Sequence, residues 1–278
     1  MKNKMRLLAI IVTYYPDRDL LAENVNAIYD CIDKLLIWEN TPISERFDYR
    51  FLTNSKIEYC GDDINSISHA LNYAWQYAQK NGYDYILTMD QDSVFKNFDV
   101  FLTTTIEFQS QNICLVGPMI CRTSESAPSS VITEIGANAH LITSGLVIPV
   151  SLLNEINGFC EDFRIEAVDV DLCVRVRNAS RKIYLNSNGV LVQRFGAPYE
   201  KKLFGKKFVG SDYNEKRLYE IFRNHIIIYR RYKNNAVKGF VISYFRNFVP
   251  RIILWESNKI KKLSAIFKGI IAGYRFKV

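Results

Sequence analysis

Residues 86–95 read Ile86-Leu87-Thr88-Met89-Asp90-Gln91-Asp92-Ser93-Val94-Phe95. An apolar run, Tyr85 to Met89, ends on two aspartates one residue apart. On an extended chain, alternate side chains point the same way, so both carboxylates face one side of a strand end. Like charges that close raise each other's energy, and burial adds to the cost. Metal, sugar hydroxyls or phosphoaspartyl chemistry are the candidates that offset it. Hard oxygen donors at a strand end suit Mg²⁺ or Mn²⁺, held by one or two carboxylates together with substrate phosphates. The plain structural alternative is a pair of turn carboxylates capping the next helix.

Outward from this stretch, the same grammar repeats. Met5 to Thr13, MRLLAIIVT, is a continuous apolar run closed by Tyr14-Tyr15-Pro16, as expected of a strand buried on both faces. Residues 17–33 read as a helix starting at Asp17 or Asp19. Leu35 to Trp38 and Ile57 to Cys60 are short strands. Ile67, Ala70, Leu71, Ala74 and Ala78 recur at helical spacing over 65–80. Alternating strands and helices imply a doubly wound α/β sheet. Ligands in such sheets sit beyond the carboxyl ends of the strands, where Tyr14, Asn40 and Asp90 all fall.

The second half is less regular. Cys114 to Pro118 reads as strand and turn, and 131–149 as strands around Leu141-Ile142-Thr143-Ser144-Gly145. A helix over 169–178 follows a second acidic cluster, Asp162, Glu166, Asp169 and Asp171. Asp169 is expected at that helix's start, with Asp171 further from the core. A carboxylate there suits a general base, and it equally suits helix capping. Ile183 to Leu185 and Val190 to Val192 are two short strands, and the chain is helical from 214 onward.

With 278 residues, 48% hydrophobic and 23% charged, the chain is globular and long enough for a real core. Its six cysteines include no CxxC pair, which points to reduced thiols of a cytosolic chain. The first strand is too polar at its end for a signal peptide. A net charge of +7 is unevenly spread: residues 201–278 hold 19 Lys/Arg and 4 Asp/Glu, net +15, and residues 1–200 are net −8. A basic tail suggests an anionic partner or a solvated helical face. No stretch of the tail approaches the ~20 apolar residues that span a bilayer, so an amphipathic segment on the anionic inner face of the plasma membrane fits it, as does a helix packed on the rest of the protein. No recognition motif accompanies the charge, which argues against nucleic acid.

Taken together, the motifs VTYYP, TMDQDS, ITSG, VDVDLCVR and KRLYEIFRN, in that order, resemble family 2 glycosyltransferases, most closely their rhamnosyltransferase-like bacterial branch. The resemblance covers roughly residues 5–230. It implies an α/β GT-A (Rossmann-like) nucleotide-diphospho-sugar transferase fold over 1–212, with a nucleotide-binding half (about 1–112) and an acceptor-binding half (113–212). The helical basic C-terminal extension occupies 213–278. It also implies transfer of a rhamnose-like or other hexose, with inversion, from a dTDP- or UDP-type donor to a glycan or lipid-linked glycan of a bacterial surface polysaccharide. By position, Thr13, Tyr14, Glu39, Asn40, Asn72 and Asp90 match nucleotide-binding residues, and Asp92 with Asp90 the metal site for Mg²⁺ or Mn²⁺. Asp169 matches the catalytic base. Thr143, Ser144, Gly145 and Asp171 are taken as acceptor-side residues, and Arg217 and Arg223 as cations for the diphosphate. The chain departs from the family at Val168, where a Glu is usual, and at Gln193-Arg194-Phe195-Gly196, where the branch has a His at the first position. The usual Asn-x-Gly after the third strand is blurred into Ile64-Asn65-Ser66. DQDSV also fits the motif of haloacid dehalogenase-like phosphatases, which closes the first strand of that core. A non-catalytic glycan-binding homologue is the third reading; a nucleotidyltransferase would need a Gly-rich phosphate loop after the first strand.

Overall fold

The structure is a computed structural model that describes residues 5–46, 48, 52, 54–121, 131–193, 199–203, 206–233 and 235–278. The chain divides into two compact units, residues 1–135 with 140–194, and residues 136–139 with 195–278.

The first unit is built on a nine-stranded mixed sheet. Strand β1 (Leu7–Thr13) is buried along its whole length, as its uninterrupted apolar run requires. It pairs in parallel with β2 (Lys34–Glu39) on one side and β4 (Tyr85–Asp90) on the other, and β2 pairs in parallel with β3 (Ile57–Cys60). Helix α1 (Arg18–Ile28) crosses from β1 to β2, capped by Asp17, whose side chain accepts from the Leu20 amide. Helix α2 (Ile67–Asn81) crosses from β3 to β4, capped by Ser66 at its start and by left-handed Gly82 at its end. All three parallel pairings bring strand ends to one edge. The register puts Thr13 opposite Glu39, and Val12 opposite Asp90.

Beyond β4 the sheet changes sense. Strands β5 (Ser93–Lys96), β6 (Leu115–Cys121), β7 (Ile132–Glu134), β8 (Leu146–Pro149) and β9 (Ile183–Gln193) complete the order β3-β2-β1-β4-β8-β6-β9-β5, with β7 paired to β9. The expected doubly wound sheet is thus mixed: β8 lies antiparallel between β4 and β6. The two short strands expected at 183–185 and 190–192 are one strand, β9, whose pairing with β6 slips register between Pro118 and Met119. Helices α3 (Phe98–Gln111), α4 (Val150–Ile156) and α5 (Val168–Asn178) complete the unit. Its core joins β1, β2, β4 and α1 with Phe95, Phe98 and Phe101.

The second unit holds a hairpin, β10 (Tyr199–Leu203) with β11 (Lys206–Gly210), and three helices: α6 (Glu215–Tyr232), α7 (Asn235–Trp255) and α8 (Lys259–Arg275). Helices α6 and α8 lie backbone against backbone at two glycines. A Cβ on Gly269 would stand 2.5 Å from the Tyr219 carbonyl oxygen, and one on Gly273 2.7 Å from that of Arg223. Among the described residues, no helix is long and apolar enough to cross a membrane. The six cysteines are all free.

Candidate active site

The two aspartates stand at the carboxyl end of β4, and three neighbours hold that end in place. The Asp90 amide donates to Ser144 Oγ at 3.0 Å, and Ser144 Oγ donates to Ser93 Oγ at 2.9 Å. The buried amide of Asn24, on α1, donates to the Asp90 carbonyl at 2.8 Å. Between the aspartates, Gln91 pairs twice with the backbone of Tyr14: its Oε1 accepts from the Tyr14 amide at 2.6 Å and its Nε2 donates to the Tyr14 carbonyl at 3.0 Å. That two-pronged amide clasp ties the end of β1 to the acidic turn.

Asp90 is crowded. Burial, and the charges of Asp92 and Asp169, push its carboxyl up to about 7; a hydrogen bond from Gln193 Nε2 (3.1 Å) opposes them. Burial also raises Asp92. Asp169 arrives from the first turn of α5, after left-handed Ala167. Burial raises it as well, while the ring of His140, 3.8 Å from Oδ2, and the Val170 amide, 2.8 Å from Oδ1, pull it down. Three carboxylates from two distant segments therefore gather around Asp90, and each is held above the ordinary carboxylate range. Clustered carboxyls raised by burial and by one another make this strand edge a candidate functional site.

A divalent metal fits here on one further observation. Gln193 is 9% exposed, and its Oε1 has no hydrogen-bond partner. An orphaned buried oxygen beside Asp90 is a hard donor of the type Mg²⁺ and Mn²⁺ take. Among the described residues no three His, Cys, Asp or Glu side chains are spaced to hold a metal by themselves. The fit is therefore to two carboxylates, an amide oxygen and ligand oxygens. Arg194, Phe195 and Gly196 of the same motif lie outside the described residues.

Several residues expected to meet ligand are also tied into the fold. Thr13, expected at the nucleoside, is fully buried and donates its hydroxyl to the Trp38 carbonyl at 3.1 Å, which joins β1 to β2. Asn72 is 8% exposed and spends its whole amide on the 159–161 loop: Nδ2 donates to Phe159 O and Glu161 Oε1, and Oδ1 accepts from the Phe159 amide. Ser144, expected on the acceptor side, is buried and braces Asp90 through the Asp90 amide. Asp171, expected further from the core, is 1% exposed and ion-paired with Arg175 at 2.7 Å. Gly145 sits at φ +84°, with its amide donating to Thr88 O at 2.6 Å; a Cβ there would strike Pro118. Thr143 is half-buried, and its carbonyl accepts from the Thr88 hydroxyl.

Tyr14, by contrast, is an exposed ring set edge-on to Tyr15 at the mouth of β1. Glu39 and Asn40 end β2 as expected but are buried, Glu39 accepting from the Thr41 amide and Asn40 from Trp38 Nε1. Arg217 and Arg223 lie on α6 in the second unit, with their guanidinium groups over the rings of Tyr213 (4.1 Å) and Phe276 (5.0 Å). Sequence reasoning missed His140, Gln91 and Asn24 altogether. Only Gln91, fixed between the two aspartates, carried a signal of position. A further pairing also escaped it: His69 on α2 sits between Asp62 (2.8 Å) and Glu161 (3.3 Å), beside the Trp38 ring.

No protein-family model and no curated protein sequence matches the chain. Solved structures do. The crystal structure of S. aureus TarS 1-349 in complex with UDP-GlcNAc superposes with a TM-score of 0.63 at 12% identity, over 96% of this chain and 81% of that one. The complex of the same TarS segment with UDP gives 0.62 at 13% identity, over the same shares. A longer TarS structure gives 0.62 at 12% identity; this chain spans 49% of its length. The chain therefore has the GT-A glycosyltransferase fold of TarS, an α/β architecture with a helical C-terminal region.

Proposed function

We propose that the protein is an inverting glycosyltransferase that takes a sugar from a UDP-type nucleotide donor. The observation that carries the reading is the gathering of Asp90, Asp92 and Asp169 at the carboxyl edge of the parallel strands. The fold and the ligands of its structural neighbours, UDP-GlcNAc and UDP, support it.

In this reading Asp169 is the base. An acceptor hydroxyl is a weak nucleophile until a carboxylate takes its proton. Its oxygen bonds to the anomeric carbon as the bond from that carbon to the diphosphate oxygen breaks. The proton passes to Asp169, and the electron pair leaves with the diphosphate. One displacement inverts the anomeric centre and leaves no sugar on the enzyme. The raised carboxyl of Asp169 makes it a stronger proton acceptor than an ordinary aspartate, and His140 and the Val170 amide favour its ionised form. Asp92 and Asp90, with Gln193, would hold Mg²⁺ or Mn²⁺, which when bound neutralises charge on the diphosphate. Tyr14 offers an exposed face to the base or ribose. A surface glycan, free or lipid-linked, is the proposed acceptor; a dTDP donor carrying a rhamnose-like sugar is the competing one.

The haloacid dehalogenase reading loses its footing, because the acidic pair closes β4 and not the first strand. The test is a thermal shift of the purified chain against UDP, UDP-GlcNAc, dTDP and dTDP-rhamnose, with and without Mn²⁺. Ligands that bind only the native state raise its apparent stability by mass action. A Mn²⁺-dependent shift with UDP species, absent in Asp92→Ala, is expected. A shift with dTDP species alone moves the donor to the competing class. No shift with any nucleotide overturns the reading in favour of a non-catalytic homologue.

A further inference from the structure

Helix α8 carries a face that the rest of its own unit leaves open. One side of the helix, Lys262, Ala265, Ile266, Gly269 and Gly273, is buried. On the opposite side Ile260, Phe267 and Tyr274 are 85%, 63% and 55% exposed. They are spaced by seven residues, two turns of helix, so they form one stripe along the helix. Lys261, Lys268 and Arg275 follow each of them by one residue and form a parallel row of exposed cations. The helix holds five Lys/Arg and no Asp/Glu. Ile253 and Leu254, near the end of α7, are also exposed, at 49% and 52%.

Large apolar side chains rarely line up in solvent without a reason. A stripe of Ile, Phe and Tyr edged by cations on a helix too short and too charged to span a bilayer is the pattern of a helix that lies in a membrane interface. A groove of about 500 Å³ between α6 and α8 adds to it. Tyr219 and Ile260 line it together with Lys216, Lys261 and Lys268, which outnumber its single carboxylate, Glu215. That is space and charge for an anionic headgroup beside the exposed Ile260.

We propose that α8 docks this protein on an anionic bilayer, with Ile260, Phe267 and Tyr274 in the interface and Lys261, Lys268, Arg275 and Lys216 against the headgroups. A second copy of the chain is the poorer occupant, because two such faces would set their cation rows together. The assignment stands on the second unit alone and does not rest on the catalytic reading.

The test is co-sedimentation of the full chain with vesicles of phosphatidylcholine alone and of phosphatidylcholine with phosphatidylglycerol, alongside light scattering. Binding to the phosphatidylglycerol vesicles only is expected, falling with salt. Each cation near an anionic surface adds about fivefold to the partition coefficient, so Lys216→Gln/Lys261→Gln/Lys268→Gln should cost roughly a hundredfold. Ile260→Ser/Phe267→Ser should also release the protein. These side chains are exposed, so both variants should keep the wild-type unfolding midpoint and the wild-type response to nucleotide. Absence of binding, equal binding to both vesicle types, or variants that bind as the wild type would overturn the proposal. So would a dimer that Ile260→Ser/Phe267→Ser dissociates.

Discussion

At the end of β4, Asp90, Asp92 and Asp169 gather three carboxyls, and each is held above the ordinary carboxylate range. In the second unit Lys262, only 4% exposed, is bound between Glu256 (2.8 Å) and Asp212, while Glu256 also accepts from the Tyr199 hydroxyl at 3.1 Å. Both clusters bury charge. The second satisfies it with opposite charge and joins the β10–β11 hairpin, the start of α6 and the α7–α8 turn. The first leaves negative charge in excess and Gln193 Oε1 without a partner. A fold tolerates an unbalanced cluster only at some cost in stability, and a ligand that brings positive charge or a proton removes that cost. Substitutions should therefore act in opposite directions at the two places.

The largest effect is expected at the reaction itself. Asp169→Asn keeps the shape and the oxygen that accepts from Val170, and removes the base. Turnover should fall by about a thousandfold, the middle of the range for general-base catalysis, while the thermal shift with UDP persists. Turnover near wild type in this variant would take the base role from Asp169.

Next in size is the balanced cluster. Lys262→Met strands Glu256 inside the second unit, and breaking a buried pair in this way costs about 3–5 kcal/mol. Urea unfolding should show the loss, and Lys262→Met/Glu256→Leu should recover most of it. A double variant no more stable than the single one would mean that packing around the Lys262 stem, and not charge balance, holds this region.

At the unbalanced cluster the sign reverses. Burial and the neighbouring carboxylates push Asp90 in the folded chain up to about 7, above the ordinary aspartate value of about 3.9. The folded state therefore takes up a proton that the unfolded state does not, and stability rises as pH falls from about 7 towards 4. Above that window the ionised carboxylate works against the fold. Metal-free Asp90→Asn should be more stable than the wild type by about 1–3 kcal/mol at pH 8, with the gain shrinking towards pH 5. Equal unfolding midpoints at pH 8 would show that Asp90 is not under strain.

How these sites showed in the sequence follows from the same physics. Strands β1, β2, β3 and β4 were legible because strands inside a parallel sheet leave short apolar runs that end in polar turns. The acidic pair was legible because it closes such a run. Strand β5 was hidden: Ser93 to Lys96 is four residues long and continues the acidic turn without a break. Helix α3 is rich in β-branched and aromatic residues, Val100, Thr103 to Ile106, Phe101 and Phe108, which blur a helical pattern. The two halves of β9 were separated by Asn186-Ser187-Asn188-Gly189, which reads as a turn, yet Asn186 is buried and donates to Thr104 and Thr105 on α3. Thr13, Asn72 and Ser144 are placed at the ligand only by their match to the family's motifs, and that match says nothing of the hydrogen bonds they make. Whether such a residue meets ligand or braces the backbone depends on partners far away in the chain, Trp38, Phe159 and Ser93 here, and no local pattern carries that information.

His140 is the sharpest case of the same limit, and it gives the smallest and most specific prediction. Nothing in Asn138-Ala139-His140-Leu141 points to Asp169, yet the ring stands 3.8 Å from its carboxylate. Burial drives the Asp169 carboxyl up, and the His140 ring is the first of the influences that draw it down. The base works only when ionised, so kcat/KM should fall as pH drops through the Asp169 value, giving an acid limb above the ordinary aspartate range. Removing the ring leaves burial less opposed. His140→Ala should move the limb to higher pH, with little change on the alkaline plateau. A merely structural role for His140 would lower the plateau and leave the limb where it was. A limb that stays fixed in His140→Ala but disappears in Asp169→Asn would keep Asp169 as the base and remove His140 from its control.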